Sequence, residues 1–383
     1  MHKLFRILLA AVLLSAAVLS APLTAQDGAD QEKPEQYRFS LLKEIPHTSM
    51  KNQGATGTCW CFATVSFVES EAMRRGAEEL DLSEMFIVRH TYARKADNYV
   101  RLHGKANFSQ GALSHDMIEE LSCSGIVPES VYSGLNLGID THSHGEMVRV
   151  MTGIVDGVLA SRRPSIRWRE AVDEVLDAYL GPVPETFEFN GKTYTPKEFA
   201  ADVVNVDPTD YVELTSFNHQ PFYTQVRLQV PDNWNYNDDF YNVPLDELEA
   251  AADYALENGY TVCWDGDVSE RGFAAGKDGY AIVPEEGAEN DGENPVEEME
   301  VCQKVRQKSF NDFTTTDDHL MHIVGMSSDQ NGAKYYYFKN SWGERGKYKG
   351  YFHMSKPYYR LKTTAIMVHK DAVPPELREK LGF

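Results

Sequence analysis

The sequence predicts an α+β fold of two lobes, one helical and one an antiparallel sheet or barrel, with a large, mainly helical insertion. Apolar residues recur at helical spacing in the first third of the chain, and from His319 onward short β-type runs separated by turns replace them. The length, 383 residues, is more than one hydrophobic core usually holds.

At the amino terminus His2, Lys3 and Arg6 precede an apolar run over residues 7–19 and small residues over 21–25. That is the pattern of a secretory signal peptide. The run is shorter than the roughly 20 apolar residues of a membrane anchor, and polar residues 26–33 follow it. The expectation is cleavage near Ala25, a secreted or periplasmic product and no membrane anchor, with residues 26–40 loose at the surface.

Residues 41–136 are expected to form the helical lobe. The turn-rich segment from Met50 to Gly57 runs into a helix in which Phe62, Val65, Val68 and Ala72 share one face and which Gly76 stops. Further helices are expected over residues 82–92 and 113–123. Residues 137–300 read as the insertion, with helices over 169–178 and 245–256, the latter opened by Pro244 and closed by Gly259. Within it, residues 285–293 form a solvated acidic loop. Residues 301–383 read as the β lobe, with strands at 323–326, 335–338, 350–354 and 365–368.

The formal net charge is −21, and loss of residues 1–25 removes Lys3 and Arg6 but no acid. Such a body repels nucleic acid. The five cysteines, Cys59, Cys61, Cys123, Cys263 and Cys302, are too few for a disulfide scaffold. Cys61, Cys123 and Cys263 read as small buried residues, although a Cys123–Cys263 or Cys263–Cys302 bridge stays open. Neither Cys59-Trp60-Cys61 nor His319-Leu320-Met321-His322 has zinc-ligand spacing, so neither a metal nor another cofactor is expected.

Thiol chemistry on a peptide bond needs a thiolate, an imidazole, a group that orients the imidazole and donors for an oxyanion. Cys59 stands at a helix start, where the dipole and unpaired backbone N–H groups favour a thiolate. Gln53, six residues upstream, can fold back as a second oxyanion donor, and Gly57 leaves room for a substrate backbone. His319 opens a strand, Asn340 can orient its ring, and Trp342 can shield their bond. His322 points to the opposite face of the strand and reads as a core residue. Trp60 reads as packing, and Asp317 and Asp318 as a solvated acidic turn.

Asn52-Gln53-Gly54 with Gly57-Thr58-Cys59-Trp60, Asp318-His319 and Lys339-Asn340-Ser341-Trp342-Gly343 resembles the papain superfamily of cysteine peptidases. Between and beyond these, Leu82-Ser83-Glu84, Gly125-Ile126-Val127-Pro128, Tyr179-Leu180-Gly181-Pro182, Val262 through Val268 and Pro374-Pro375-Glu376-Leu377 resemble the bleomycin hydrolase or aminopeptidase C branch. The resemblance spans residues 40 to 380. It implies a papain-like fold, peptide substrates, removal of residues from peptide amino termini, Cys59, His319 and Asn340 as catalytic residues with Gln53 at the oxyanion, and homo-oligomers, which are common in that branch. In that branch a carboxy-terminal arm brings its carboxylate into the cleft, whereas this sequence stops at Phe383, and the branch is usually cytosolic. An open endopeptidase cleft and a catalytically silent peptide binder therefore stay open as alternatives.

Overall fold

The computed structural model describes residues 36–292 and 294–383. The expected export segment over residues 1–25, residues 26–35 of the expected loose segment and Glu293 of the acidic loop lie outside the described residues.

In chain order the elements are β1 (Ser40–Glu44), α1 (Cys59–Arg74), α2 (Glu84–Arg101), α3 (Ser114–Ser124), α4 (Gly145–Leu159), α5 (Trp168–Leu180), β2 (Phe187–Phe189), β3 (Lys192–Tyr194), α6 (Pro196–Phe199), β4 (Tyr211–Thr215), β5 (Thr224–Val226), β6 (Phe240–Asn242), α7 (Leu245–Glu257), β7 (Val262–Gly266), β8 (Tyr280–Ala281), α8 (Gln303–Asn311), β9 (His319–Ser328), β10 (Lys334–Lys339), β11 (Tyr351–Ser355), α9 (Lys356–Lys362), β12 (Thr363–His369) and α10 (Pro375–Leu381).

Helix α1 is buried all round from Cys59 to Ala72, which is where a helix with apolar residues on most of its circumference must sit. Beside it α2 begins at Ser83, whose hydroxyl accepts from Phe86 N–H at 3.0 Å and so satisfies one donor of the first turn. Helix α7 follows Pro244 and carries Asp246 and Glu247 in its first turn, acids that suit the positive end of its dipole.

The main sheet runs β5-β6-β4-β12-β7-β9-β10-β11-β8, with β1 paired to β9. Side chains alternate across it. Leu320, Cys263, Ala365 and Met367 face the core built on α1 to α5, while Met321, Ile323, Trp264 and Ile366 face a second core with residues of α7, α9 and α10. The sheet thus divides the two lobes, and β9 lies directly against α1.

Four particulars differ from the sequence reading or add to it. The strands form an open path rather than a closed barrel, ended by the short β5 and β8, and the β4–β6 and β8–β11 pairs are parallel. Residues 137–300 supply β4 to β8 to the main sheet as well as helices. Cys123 is exposed rather than buried, near the end of α3, and all five thiols are free, so neither of the bridges that the sequence left open is present. Phe383 packs its ring on Tyr241 of β6, 5.2 Å between centroids, and β4, β12 and β7 separate β6 from β9.

Between the lobes His115 of α3 pairs with Glu213 of β4 at 2.9 Å, both side chains buried. Burial disfavours the charged ring, but the Glu213 and Asp116 charges outweigh it and raise the imidazole from 6.5 to about 10. A raised folded pKa contributes stability that is full below the unfolded value and is lost as pH climbs through the folded one. Urea midpoints of the wild type and His115→Gln are therefore expected to differ most near pH 6 and to converge toward pH 10. A gap that widens with pH would contradict this assignment.

Candidate active site

Two segments from opposite lobes are stitched together at the site. Gln53 N–H donates to Ser341 O at 2.8 Å and Gly343 N–H to Lys51 O at 3.0 Å. The loop then turns sharply at Gly54, with φ +63, where a Cβ would stand 2.5 Å from His142 O, so only glycine fits. Ala55 N–H in turn donates to His142 O at 2.8 Å. The chain enters α1 at Cys59 through Gly57, whose N–H donates to Gln110 Oε1 at 2.8 Å, and Trp60 Nε1 donates to Gln110 O at 3.0 Å. Gln110 thus clamps the chain on both sides of Cys59. Nothing in its turn-like sequence context signals that role.

The chemistry of the amides assigns their atoms. Ser341 N–H can only donate, and it meets Asn340 Oδ1 at 2.7 Å, so that atom is an oxygen. His319 Nε2, 2.8 Å from the same oxygen, must then carry the proton. In the neutral ring Nδ1 is left as the base. Trp342 stacks on the imidazole, with centroids 4.8 Å apart and planes inclined by 30°. By the same logic Gln53 Nε2 donates to the Thr56 carbonyl at 2.7 Å, while its Oε1 accepts from Ser341 Oγ at 2.6 Å. One amide N–H of Gln53 remains for another acceptor.

Cys59 and His319 are both buried, at 8% and 4% exposure. Burial pushes the Cys59 thiol up to about 12. The Leu320 backbone opposes that rise, and the Asp317, Asp232 and Asp265 charges add to it. Burial also lowers the imidazole to about 4, against the Asn340 hydrogen bond. Both shifts favour the thiol and the neutral imidazole over the ion pair.

The four residues Gln53, Cys59, His319 and Asn340 come together where α1, the loop before it and the start of β9 meet. His322 lies apart, buried on the other face, with Nδ1 2.9 Å from Ser66 Oγ. Trp60 is fully buried. Asp317 corrects the sequence reading. It is not part of a solvated turn, because its Oδ2 is turned inward and is buried without a hydrogen-bond partner. Asp318 caps Val268 N–H at 2.9 Å.

Beneath the site lies a second polar group. Glu69 of α1 accepts from Thr48 Oγ1 and from Leu82 N–H, with Lys51 3.7 Å away. Lys339 donates to Thr48 Oγ1 at 3.0 Å and to Ser66 Oγ at 2.8 Å.

The chain is similar to known proteins in sequence and in fold. The sequence profile of the Peptidase C1-like family matches residues 185–382, and that of the papain family cysteine proteases matches residues 35–132. The chain is 22% identical to aminopeptidase G of Lactobacillus delbrueckii subsp. lactis, over 88% of this chain and 85% of that one. Aminopeptidase W of the same organism is 23% identical over 90% and 85%, and aminopeptidase C of Listeria innocua serovar 6a is 22% identical over 88% and 83%. Among solved structures, that of PepW from Lactobacillus rhamnosis HN001 superposes with a TM-score of 0.68 at 16% identity, covering 90% of this chain and 84% of that one.

Proposed function

The chain belongs to the Peptidase C1-like family, and from that premise we propose that it is an exported thiol aminopeptidase working through Cys59, His319, Asn340 and Gln53. That it is a papain-like cysteine peptidase follows from the family profiles and from the relatives. The observation that carries the site assignment is the His319–Asn340 bond, which leaves Nδ1 as a base on the strand packed against the helix that Cys59 opens.

In this reading the Cys59 Sγ proton passes to His319 Nδ1 as the sulfur bonds to the scissile carbonyl carbon. The oxyanion takes hydrogen bonds from Cys59 N–H, one of the first-turn donors without an intrahelical acceptor, and from the remaining Gln53 Nε2–H. Collapse of the adduct breaks the C–N bond, and His319 returns its proton to the leaving amine. Water, deprotonated by His319, then cleaves the thioester, and the sulfur regains its proton as the acid leaves. Asn340 keeps the ring in one tautomer throughout, and Trp342 covers that bond.

Removing the Gln53 donor with Gln53→Ala is expected to lower kcat roughly 10²- to 10³-fold with a smaller change in KM, as read by steady-state kinetics. An unchanged kcat would remove Gln53 from the oxyanion site.

The preference for free amino termini is supported by the aminopeptidase relatives, matched along 83–85% of their length. It is tested with matched fluorogenic peptides, one with a free and one with an acylated amino terminus, under reducing conditions. Turnover of the free peptide alone is expected. Equal rates would replace the aminopeptidase with an endopeptidase, and turnover of neither would overturn the peptidase assignment. Export is supported by the basic, apolar and small-residue succession over residues 1–25. Fractionation of an expressing bacterium and sequencing of the product's amino terminus should find Gln26 first, outside the cytoplasm. An intact Met1 form retained inside would refute export.

A further inference from the structure

Asp265 lies on β7 directly opposite Leu320 of β9, and the Leu320 backbone lies against the Cys59 sulfur. Paired residues of an antiparallel ladder share a face, so Asp265 points with Leu320 toward the helical lobe and Cys59. It is only 3% exposed. Its carboxylate lies against Asp317 and Thr364, yet neither oxygen completes a hydrogen bond of normal geometry. Asp317, two residues before His319, is part-exposed and turns its own unpaired Oδ2 inward.

Asp232, close enough for its charge to act on Cys59, Asp265 and Asp317, is anchored at one oxygen only, Oδ1, which accepts from Asn107 at 2.8 Å and from Ser109 at 3.5 Å. Its Oδ2 stands where a Cβ on Gly111 would be 1.8 Å away, so Gly111 is needed to admit it. Gly111 follows Gln110, the clamp around Cys59. Among the described residues no lysine or arginine forms an ion pair with Asp265 or Asp317. Two carboxyls held together away from water without a counter-ion are costly. Burial pushes Asp265 up to about 7 and raises Asp317 as well.

We propose that Asp265 and Asp317, with Asp232 facing them, form a subsite beside Cys59 that receives a positively charged nitrogen on the acyl side of the substrate. The inference rests on the peptidase reading and deepens it by giving the substrate a charge. Asp317, part-exposed, meets the cation first, and a seated cation gives the buried Asp265 carboxyl the counter-ion it lacks, so both acids can ionise around it. Burial is the main reason the Cys59 thiol is raised, and a cation seated there offsets the Asp317, Asp232 and Asp265 charges that add to it, so a correct substrate assists its own attack. The cation is either the α-ammonium of the peptide or a lysine or arginine side chain, and the test separates these sources.

Binding is measured by calorimetry in the Cys59→Ala protein with three short peptides: one with a free amino terminus and neutral side chains, one acetylated and neutral, and one acetylated and carrying lysine. At least one cationic peptide is expected to bind about tenfold or more tightly than the acetylated neutral one. The one that does identifies the source. Adding Asp317→Asn, and separately Asp265→Asn, should bring that ratio to within about twofold. Asp317, part-exposed, keeps the test valid if the buried Asp265 variant folds poorly, and thermal melts check both. Equal binding of all three peptides, or a ratio that survives both substitutions, overturns the subsite. Cation-selective binding without any turnover by wild type would remove the peptidase reading and leave the subsite standing. Cys59-dependent turnover with no charge preference would do the reverse.

Discussion

Cys59→Ala is expected to reduce turnover of a free-amine peptide by roughly 10⁴- to 10⁶-fold, because removing the nucleophile of such a unit costs about as much as removing the whole unit. The fold should survive, since the change removes only a sulfur from a helix start that Gln110 holds through Gly57 and Trp60. Alkylation needs more care than mutagenesis. Cys302, exposed at the start of α8, has its thiol lowered by the backbone N–H groups of Val305 and Lys304, whereas burial holds Cys59 protonated. Since the thiolate is the reactive form, limiting iodoacetamide should label Cys302 first and leave activity intact. Inactivation should then follow slower labelling of Cys59, best read in a Cys302→Ser background. Loss of activity in step with Cys302 labelling, or near-wild-type turnover by Cys59→Ala, would refute the assignment.

The site was legible where its chemistry is local. Gln53 and Cys59 share one loop and helix start, and His319 and Asn340 each border a strand, so short-range patterns and motif spacing reveal all four. What escaped depends on partners distant in sequence. Gln110 reaches Cys59 from 51 positions away along the chain, through a carbonyl and an amide that no pattern marks. Asp317 reads as surface turn because its neighbours Asp318 and Thr316 are polar, and only the approach of Asp265 on β7 shows its inward face. Likewise β4 alternates Val212 and Leu214 with Glu213 and Thr215, the pattern of a half-solvated strand, yet all five of its residues are buried. Its polar side chains find distant partners, Glu213 at His115 and Thr215 at the Thr364 carbonyl, and β12 and β6 flank it. Cys123 erred the other way: its helical context suggested burial, but it lies on the last turn of α3, where the apolar face has run out.

Glu69→Ala should be the most destabilising single change near the site, by about 3–5 kcal/mol, the usual cost of breaking a buried charged group on one side. Glu69 is 1% exposed and gathers partners from two segments: the Thr48 hydroxyl and, at 3.7 Å, the Lys51 ammonium from the chain before α1, and Leu82 N–H from the chain before α2. Its loss leaves Leu82 N–H without that acceptor and frees Thr48, which also receives Lys339. Lys51 retains Glu84 at 2.9 Å and Asp81 at 2.7 Å, so the charge itself is not stranded, which places the expected cost toward the lower end of the range. Glu69→Gln keeps an acceptor for Leu82 N–H and should cost distinctly less. The consequence for function follows from position. Lys339 immediately precedes Asn340, and Lys51 lies two residues before Gln53, so loosening either shifts both the imidazole's orienting group and the oxyanion loop. Since in the proposed mechanism these groups orient the base and bind the oxyanion, the residual activity of folded Glu69→Ala should be reduced in kcat more than in KM. Urea unfolding and steady-state kinetics on one preparation decide it. A midpoint equal to wild type would show that the buried network does not tie the lobes. A normal kcat in a destabilised protein would show that it ties them without positioning Asn340 or Gln53.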